Sequence, residues 1–213
     1  SAGGSALGET PDKPDVGFLP AMLRRRTSRV TRAALWAAHQ CGADAPGWQT
    51  VFSSRHGELH RSHGLLTELA AEEPLSPNAF SLSVHNTASG LYSIATGNRA
   101  PSTALAAGRD TLAAGVTEAV GRLRAGAPRV LLVHADERAP AFYRPWVAEG
   151  PAVFALGLVI GPPSGEGDWR LGHAERSAGD GEGSELALMH LVAGERRRLV
   201  MAGEREPWLW ERD

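Results

Sequence analysis

The chain has a single cysteine, Cys41, which excludes an internal disulfide and suits a reducing compartment. No apolar run approaches the roughly 18 residues that a membrane-spanning helix needs. The opening SAGGSALGETPDKPD lacks a basic stretch followed by an apolar one, which argues against a signal peptide, and it lacks an initiator methionine, as after trimming. Charge of one sign is also missing. Lys and Arg number 22 against 24 Asp and Glu, leaving −2 and a pI near 6.4, which excludes nucleic-acid binding by bulk charge. No G-x-S-x-G elbow frames a serine and no glycine-rich phosphate loop is present. The expected setting is cytoplasmic, with no membrane span, no nucleic-acid partner and no cofactor.

What is there supports a packed core: 42% of the 213 residues are apolar and 22% are charged. Residues 1–15, rich in Gly, Ser, Pro and Asp, are expected to be mobile, and residues 16–213 to form one domain. Phe18, Leu19, Met22 and Leu23 form an apolar anchor before Arg24, Arg25 and Arg26. From Thr27 to Cys41 the spacing is helical, with Val30, Ala33, Ala34, Ala37 and Cys41 on one small-residue face, and Gly42 stops it. Gln49 to Ser54 reads as a buried strand, and His56 to Ala71 as a helix with Leu59, Leu65, Leu66 and Leu69 inward. Arg129 to Ala135 and Ala152 to Ile160 are nearly continuous apolar strands of the kind buried on both faces. Pro140 to Trp146 reads as a loop and Trp169 to His173 as an edge strand. Ser184 caps a helix through Val192, and Trp208 and Trp210 lie in a strand or a docking tail. Strands alternating with helices predict an α/β fold, a mostly parallel sheet with helices on both faces.

The most informative stretch is Ser81 to Glu118. Asn86 and Thr87 open a helical run carrying Ala88, Leu91, Ile94 and Ala95, and Gly97 closes it. Pro101 then starts a strand of small side chains, Ser102 to Ala107. Gly108 and Asp110 turn that strand into a helix with Leu112, Val116, Ala119, Val120 and Leu123 on one face. A strand feeding a helix N-terminus is a usual mount for a nucleophile or a bound anion, yet the residue at its tip is inert.

Asn86 with Gly90, then Arg99, Pro101 and Ser102 before a small-residue strand, resembles the N-terminal half of β-ketoacyl synthases, over about Phe52 to Gly161. In that family the pattern reads N-x-x-A-G, a helix, G-P-S and a strand ending in T-A-C. Laid on without a gap, the family's cysteine nucleophile falls on Ala107. FLPAMLRRR, SSRHGE and SVHN look like half-length chain-length factors of the aryl-polyene type. The resemblance implies one half of a thiolase-like fold, with its first strand missing before Phe18. A full ketosynthase takes two catalytic histidines from a second half, near whose start this chain ends. A non-catalytic subunit, not an enzyme, is therefore implied, pairing with an active β-ketoacyl synthase in polyketide, aryl-polyene or fatty-acid-type synthesis. In that fold the strand before the nucleophile pairs with its counterpart across the dimer axis. That implies interface roles for Asn86, Arg99, Ser102, Ala104 and Ala106, and places Leu91, Tyr92 and Ile94 near the end of the partner's acyl tunnel. The implied partners are a β-ketoacyl synthase or a second copy of the chain, with an acyl carrier protein besides.

Other constellations compete. His56, His60 and His63 stand at i, i+4 and i+7, and two imidazoles so spaced on a helix can share zinc, but Gly57 takes the place where a metalloprotease has its glutamate. They keep open a His-cluster metal-dependent hydrolase, against solvated histidines and no metal. Arg25, Arg29 and Arg32, next to Arg24 and Arg26, suit docking of an acidic carrier or the partner, or a solvated face paired with the chain's own carboxylates. Ser53, Ser54 and His56 form a weak nucleophile-and-base pattern. Asp136 and Glu137 end a strand where parallel sheets place acid and base groups, although the family comparison reads Glu137 as structural. A stand-alone, carrier-binding homodimer is the remaining alternative.

Overall fold

A computed structural model describes residues 10–42, 47–147, 152–165, 168–174 and 185–212. In chain order its elements are α1 (Ala21–Arg24), α2 (Arg29–Gln40), β1 (Gln49–Ser53), α3 (Leu59–Ala70), α4 (Pro77–Ser81), α5 (Thr87–Thr96), β2 (Ser102–Leu105), α6 (Thr111–Arg124), β3 (Val130–Glu137), β4 (Val153–Ile160), β5 (Trp169–His173), α7 (Glu185–Val192), β6 (Arg198–Met201) and β7 (Trp208–Arg212). Gly108–Asp110 and Ala141–Trp146 are short 3-10 turns.

The main sheet has the order β2-β1-β3-β4. β2, β1 and β3 run parallel, while β4 lies antiparallel on β3, from Val130 opposite Ile160 to Glu137 opposite Val153. Side-chain alternation divides the core. Phe52, Leu131, Val133 and Ala135 pack with α2 and α5, whereas Val51, Val130 and Leu132 pack beneath Ala119 of α6. The alanine face of α2 works as its composition predicts: a Cβ on Gly157 would stand 2.6 Å from both Ala37 O and Cys41 Sγ. Helix and strand backbone therefore meet with nothing between them. Ser28 caps α2 by accepting from the Thr31 N–H at 3.1 Å, and Gly97 ends α5 with φ of 67°.

A second sheet, β5-β7-β6, is antiparallel and joins the first through Leu112, Phe154, Leu156, Leu188, Leu191, Leu199 and Trp210. β7 settles the C-terminal segment as a strand. The β6 strand and the α4 helix have no counterpart in the sequence reading. Ser184, the expected cap of α7, lies outside the described residues, as do residues 1–9 of the segment read as mobile. Within that segment the Thr10 hydroxyl bonds both the N–H and the carbonyl of Ala155, and Val16 beyond it is buried.

Two expectations change. Of the four leucines placed inward on α3, Leu65 is buried and Leu59 half-buried, while Leu66 and Leu69 are 56% and 57% exposed. α3 is held through its first turns, by Leu65 and by His60 Nε2 donating to Arg138 O, while its last turn stays exposed. Ser102 to Ala107 is not all strand: β2 stops at Leu105, and Ala106 and Ala107 belong to the turn. No helix among the described residues is long and apolar enough to cross a membrane.

Candidate functional site

The three parallel strands deliver their C-terminal ends to one rim of the sheet, where α/β folds gather functional groups. At β2 the chain leaves the strand through exposed Ala106 and Ala107, turns at Gly108 with φ of 56°, and enters α6. The Thr111 hydroxyl fixes this elbow, accepting from the Ala107 N–H at 3.0 Å and donating to Gly108 O at 2.7 Å. Asp110 precedes α6 but makes no side-chain bond to that helix. Its Oδ1 instead accepts from the Glu204 N–H at 3.0 Å and from Trp208 Nε1–H at 2.8 Å. The Ala107 methyl at the tip offers no lone pair and no proton, so the mount carries no nucleophile.

β1 and β3 end in a hub built on Asp136. Its Oδ1 accepts from Ser54 Oγ at 2.8 Å and the His56 N–H at 3.0 Å, and its Oδ2 accepts from the Arg55 N–H at 2.8 Å. Ser54 Oγ in turn accepts from the Gly57 N–H at 2.8 Å, and His85 Nε2 donates to Ser54 O at 2.8 Å. Gly57 is required twice over. Its φ is 54°, and a Cβ there would stand 2.9 Å from the His85 ring.

Behind the hub, Ser53 Oγ lies 3.0 Å from His134 Nδ1, and His134 Nε2 lies 3.8 Å from Asp136 Oδ2. The order Ser, His, Asp is that of a hydrolytic relay. Access rules that use out: Ser53 and His134 are both 2% exposed, and a Cβ on Gly115 would stand 3.0 Å from Ser53 Oγ. The backbone of α6 seals the hydroxyl, and the chain of groups is a buried tie between β1 and β3. The sequence reading paired Ser53 and Ser54 with His56 and missed His134, whose one signal is a polar residue inside the apolar run VLLVHA.

Glu58, in the histidine-rich stretch, is a buried carboxylate with three partners. It accepts from Ser28 Oγ at 2.6 Å, from Thr31 Oγ1, and from Arg61 Nε at 3.2 Å. It thereby ties α3 to the positive N-terminal end of α2. Together with Thr31, Ser54 and His85 it borders a cavity of about 30 Å³ whose other walls include Val30, Phe52 and Val133.

The three histidines do not converge. His56 is held by the hub, and burial, partly opposed by Asp136, keeps its pKa below the ordinary imidazole range. His60 Nε2 donates to Arg138 O at 2.7 Å, and the His63 ring lies 5.7 Å from Phe142 and 5.4 Å from Tyr143. Among the described residues no group of three or more His, Cys, Asp or Glu is placed to hold a metal ion. Burial likewise raises the pKa of Glu137. Of the arginines, Arg29 meets Asp12 at 3.3 Å, Arg32 donates to Arg24 O at 3.3 Å, and Arg25 is exposed.

The residues expected at an interface separate into two groups. Leu91 and Tyr92, expected near the end of a partner's acyl tunnel, are buried in the chain's own core, the Tyr92 ring 5.6 Å from Phe52. They lie on the side of α5 turned to the sheet. Asn86, Gly90 and Ile94, spaced by four, form its exposed side, with Ile94 67% exposed. Arg99 and Ala106 are exposed, and Ala104 is half-buried. Ser102 is exposed, its Oγ accepting from Thr50 Oγ1 at 2.8 Å. Because Pro101 O and Leu105 O accept from β1, the period of two turns the N–H and C=O of Ser102 and Ala104 away from the sheet. β2 is thus an open edge, unpaired on its outer side among the described residues.

The family model of the beta-ketoacyl synthase N-terminal domain matches residues 3–211. None of the curated proteins matches the chain. Among solved structures, one similar chain comes from the ketosynthase (ApeO) in complex with its chain length factor (ApeC) from Xenorhabdus doucetiae. It is 28% identical with a TM-score of 0.78, over 91% of this chain and 82% of that one. The ishigamide ketosynthase/chain length factor is 20% identical with a TM-score of 0.59, over 71% of this chain and 48% of that one. A beta-ketoacyl synthase from Burkholderia phymatum is 16% identical with a TM-score of 0.54, over 72% and 46%. The last two share the fold, and the match spans about half their length.

Proposed function

We propose, for a chain that belongs to the beta-ketoacyl synthase N-terminal domain family, that it is a non-catalytic subunit of the chain-length-factor kind. In this reading it pairs with an active β-ketoacyl synthase and shapes the space into which that partner's acyl chain grows, in polyketide, aryl-polyene or fatty-acid-type synthesis. The observation that carries the reading is the elbow. The turn from edge strand to helix N-terminus, where the family resemblance puts the nucleophile, carries Ala107. Acyl transfer through a covalent enzyme intermediate needs a thiol or hydroxyl there. The buried Ser53–His134 pair is closed off by α6.

Two further features favour a partner over a lone domain. β2 presents outward backbone groups that a second strand would satisfy, and small side chains that would let it come close. Beside it, the exposed row Asn86, Gly90 and Ile94 offers a helix face with one apolar side chain, Ile94, next to the bare backbone of Gly90. Similarity to a chain of a ketosynthase and chain length factor complex agrees with this arrangement. With Leu91 and Tyr92 turned inward, contact with the partner's acyl tunnel falls to Ile94. An acidic carrier protein would meet Arg25, since Arg29 and Arg32 have partners within the chain.

The test is co-expression with a ketosynthase encoded beside it. The expected result is a stable one-to-one complex whose product length changes on Ile94→Trp. A chain that purifies only as its own dimer, with a ketosynthase that works unchanged without it, would contradict the proposal.

A further inference from the structure

We infer that the turn between β6 and β7 is a clasp that sets the geometry of the elbow, and that Asp110 is the positioning residue that closes it. An aspartate just ahead of a helix ordinarily accepts from that helix's own N–H groups. Asp110 forgoes it and places Oδ1 on two donors far away in sequence, the Glu204 N–H and Trp208 Nε1–H. The turn is shaped around that carboxylate. A Cβ on Gly203 would stand 2.1 Å from Glu206 O, 2.8 Å from Asp110 Oδ1 and 3.1 Å from Trp208 Cδ1, so only glycine lets the loop close. Trp208 is supported from the other side by the His173 ring at 4.3 Å, and the Ala174 N–H donates to Pro207 O at 2.9 Å.

This links the C-terminal sheet to the end of β2. Thr111, adjacent to Asp110, holds Ala107 and Gly108, and Ala106 and Ala107 follow directly on the edge strand. Fixing Asp110 therefore fixes where β2 stops and how the outward groups of Ala104 are presented. The effect on assembly rests on the reading of β2 as the pairing edge, whereas the clasp itself does not.

Two measurements on the full chain separate them: hydrogen exchange of the amides of Ala107 to Thr111 in the isolated protein, and affinity for the co-expressed ketosynthase. Asp110→Ala and Trp208→Phe, which removes only the donor, are each expected to speed elbow exchange about tenfold, the scale of one or two lost hydrogen bonds. The double variant should be no faster than Asp110→Ala, and Asp110→Asn, which keeps the acceptor oxygen, should stay near the native rate. Affinity should fall about tenfold in the variants that loosen the elbow and in no other. Native exchange in both Asp110→Ala and Trp208→Phe overturns the clasp. So does Asp110→Asn behaving like Asp110→Ala, which would assign the effect to charge at the helix end. A loosened elbow with unchanged affinity keeps the clasp and removes β2 as the pairing edge.

Discussion

Ala107 and the Ser53–His134 pair lie near one rim of the same sheet and divide the requirements of an active site between them. Ala107 is exposed in the turn between β2 and α6, where the family resemblance puts a nucleophile, and has no reactive atom. Ser53 and His134, on the two inner strands, have hydroxyl and imidazole 3.0 Å apart and are closed off by the backbone of α6. Access without chemistry on one side and chemistry without access on the other suit the proposed roles, an assembly surface for the exposed region and a structural tie for the buried one. A polar triad therefore counts as catalytic only after its access has been examined.

The comparison breaks most visibly at the edge. Ala104→Pro removes an outward-facing N–H and leaves every bond to β1 in place. Binding to the partner should weaken by about 100-fold or more, roughly 3 kcal/mol, with unfolding of the isolated chain nearly unchanged. Titration calorimetry beside chemical denaturation checks both halves. The buried side should respond in the opposite sense. His134→Ala leaves a cavity and reduces Ser53 Oγ to its long 3.5 Å bond to Val133 O, and should cost about 2–4 kcal/mol of stability in denaturant titrations while the folded protein still binds its partner.

A smaller effect concerns pH. Because His56 sits below the ordinary imidazole range, chiefly through burial, the unfolded chain takes up the proton first. Its contribution to stability is complete above about pH 6.5 and declines as pH falls from there toward the folded value. His56→Asn should flatten the slope of stability against pH in that window, measured by thermal unfolding at several pH values. An unchanged slope would mean that the hub does not sense this ring.

Much of this was legible in the residues, for reasons that separate what was not. RVLLVHA had to be a buried strand and Ala152 to Ile160 an apolar one, and the alanine face of α2 had to meet a backbone closely. The elbow was legible too, since Pro101, the small residues and Gly108 leave few alternatives. What periodicity cannot give is which side of a helix meets the body. Leu91 and Tyr92 turned inward and Ile94 outward because the sheet lies on one side of α5, and Leu66 and Leu69 stayed exposed because α3 is held through its first turns. Long-range polar partners were equally hidden. Nothing near Asp110 announces Trp208, and nothing near Glu58 announces Ser28 and Thr31.

The central claim is that the exposed position does no chemistry, and the mass of each subunit tests it most directly. The co-expressed complex is exposed to an acyl-thioester substrate and both chains are weighed intact. The account predicts one acyl adduct on the ketosynthase and none on this chain. An adduct on this chain in stoichiometric yield, at Ser53 or anywhere else, would contradict it.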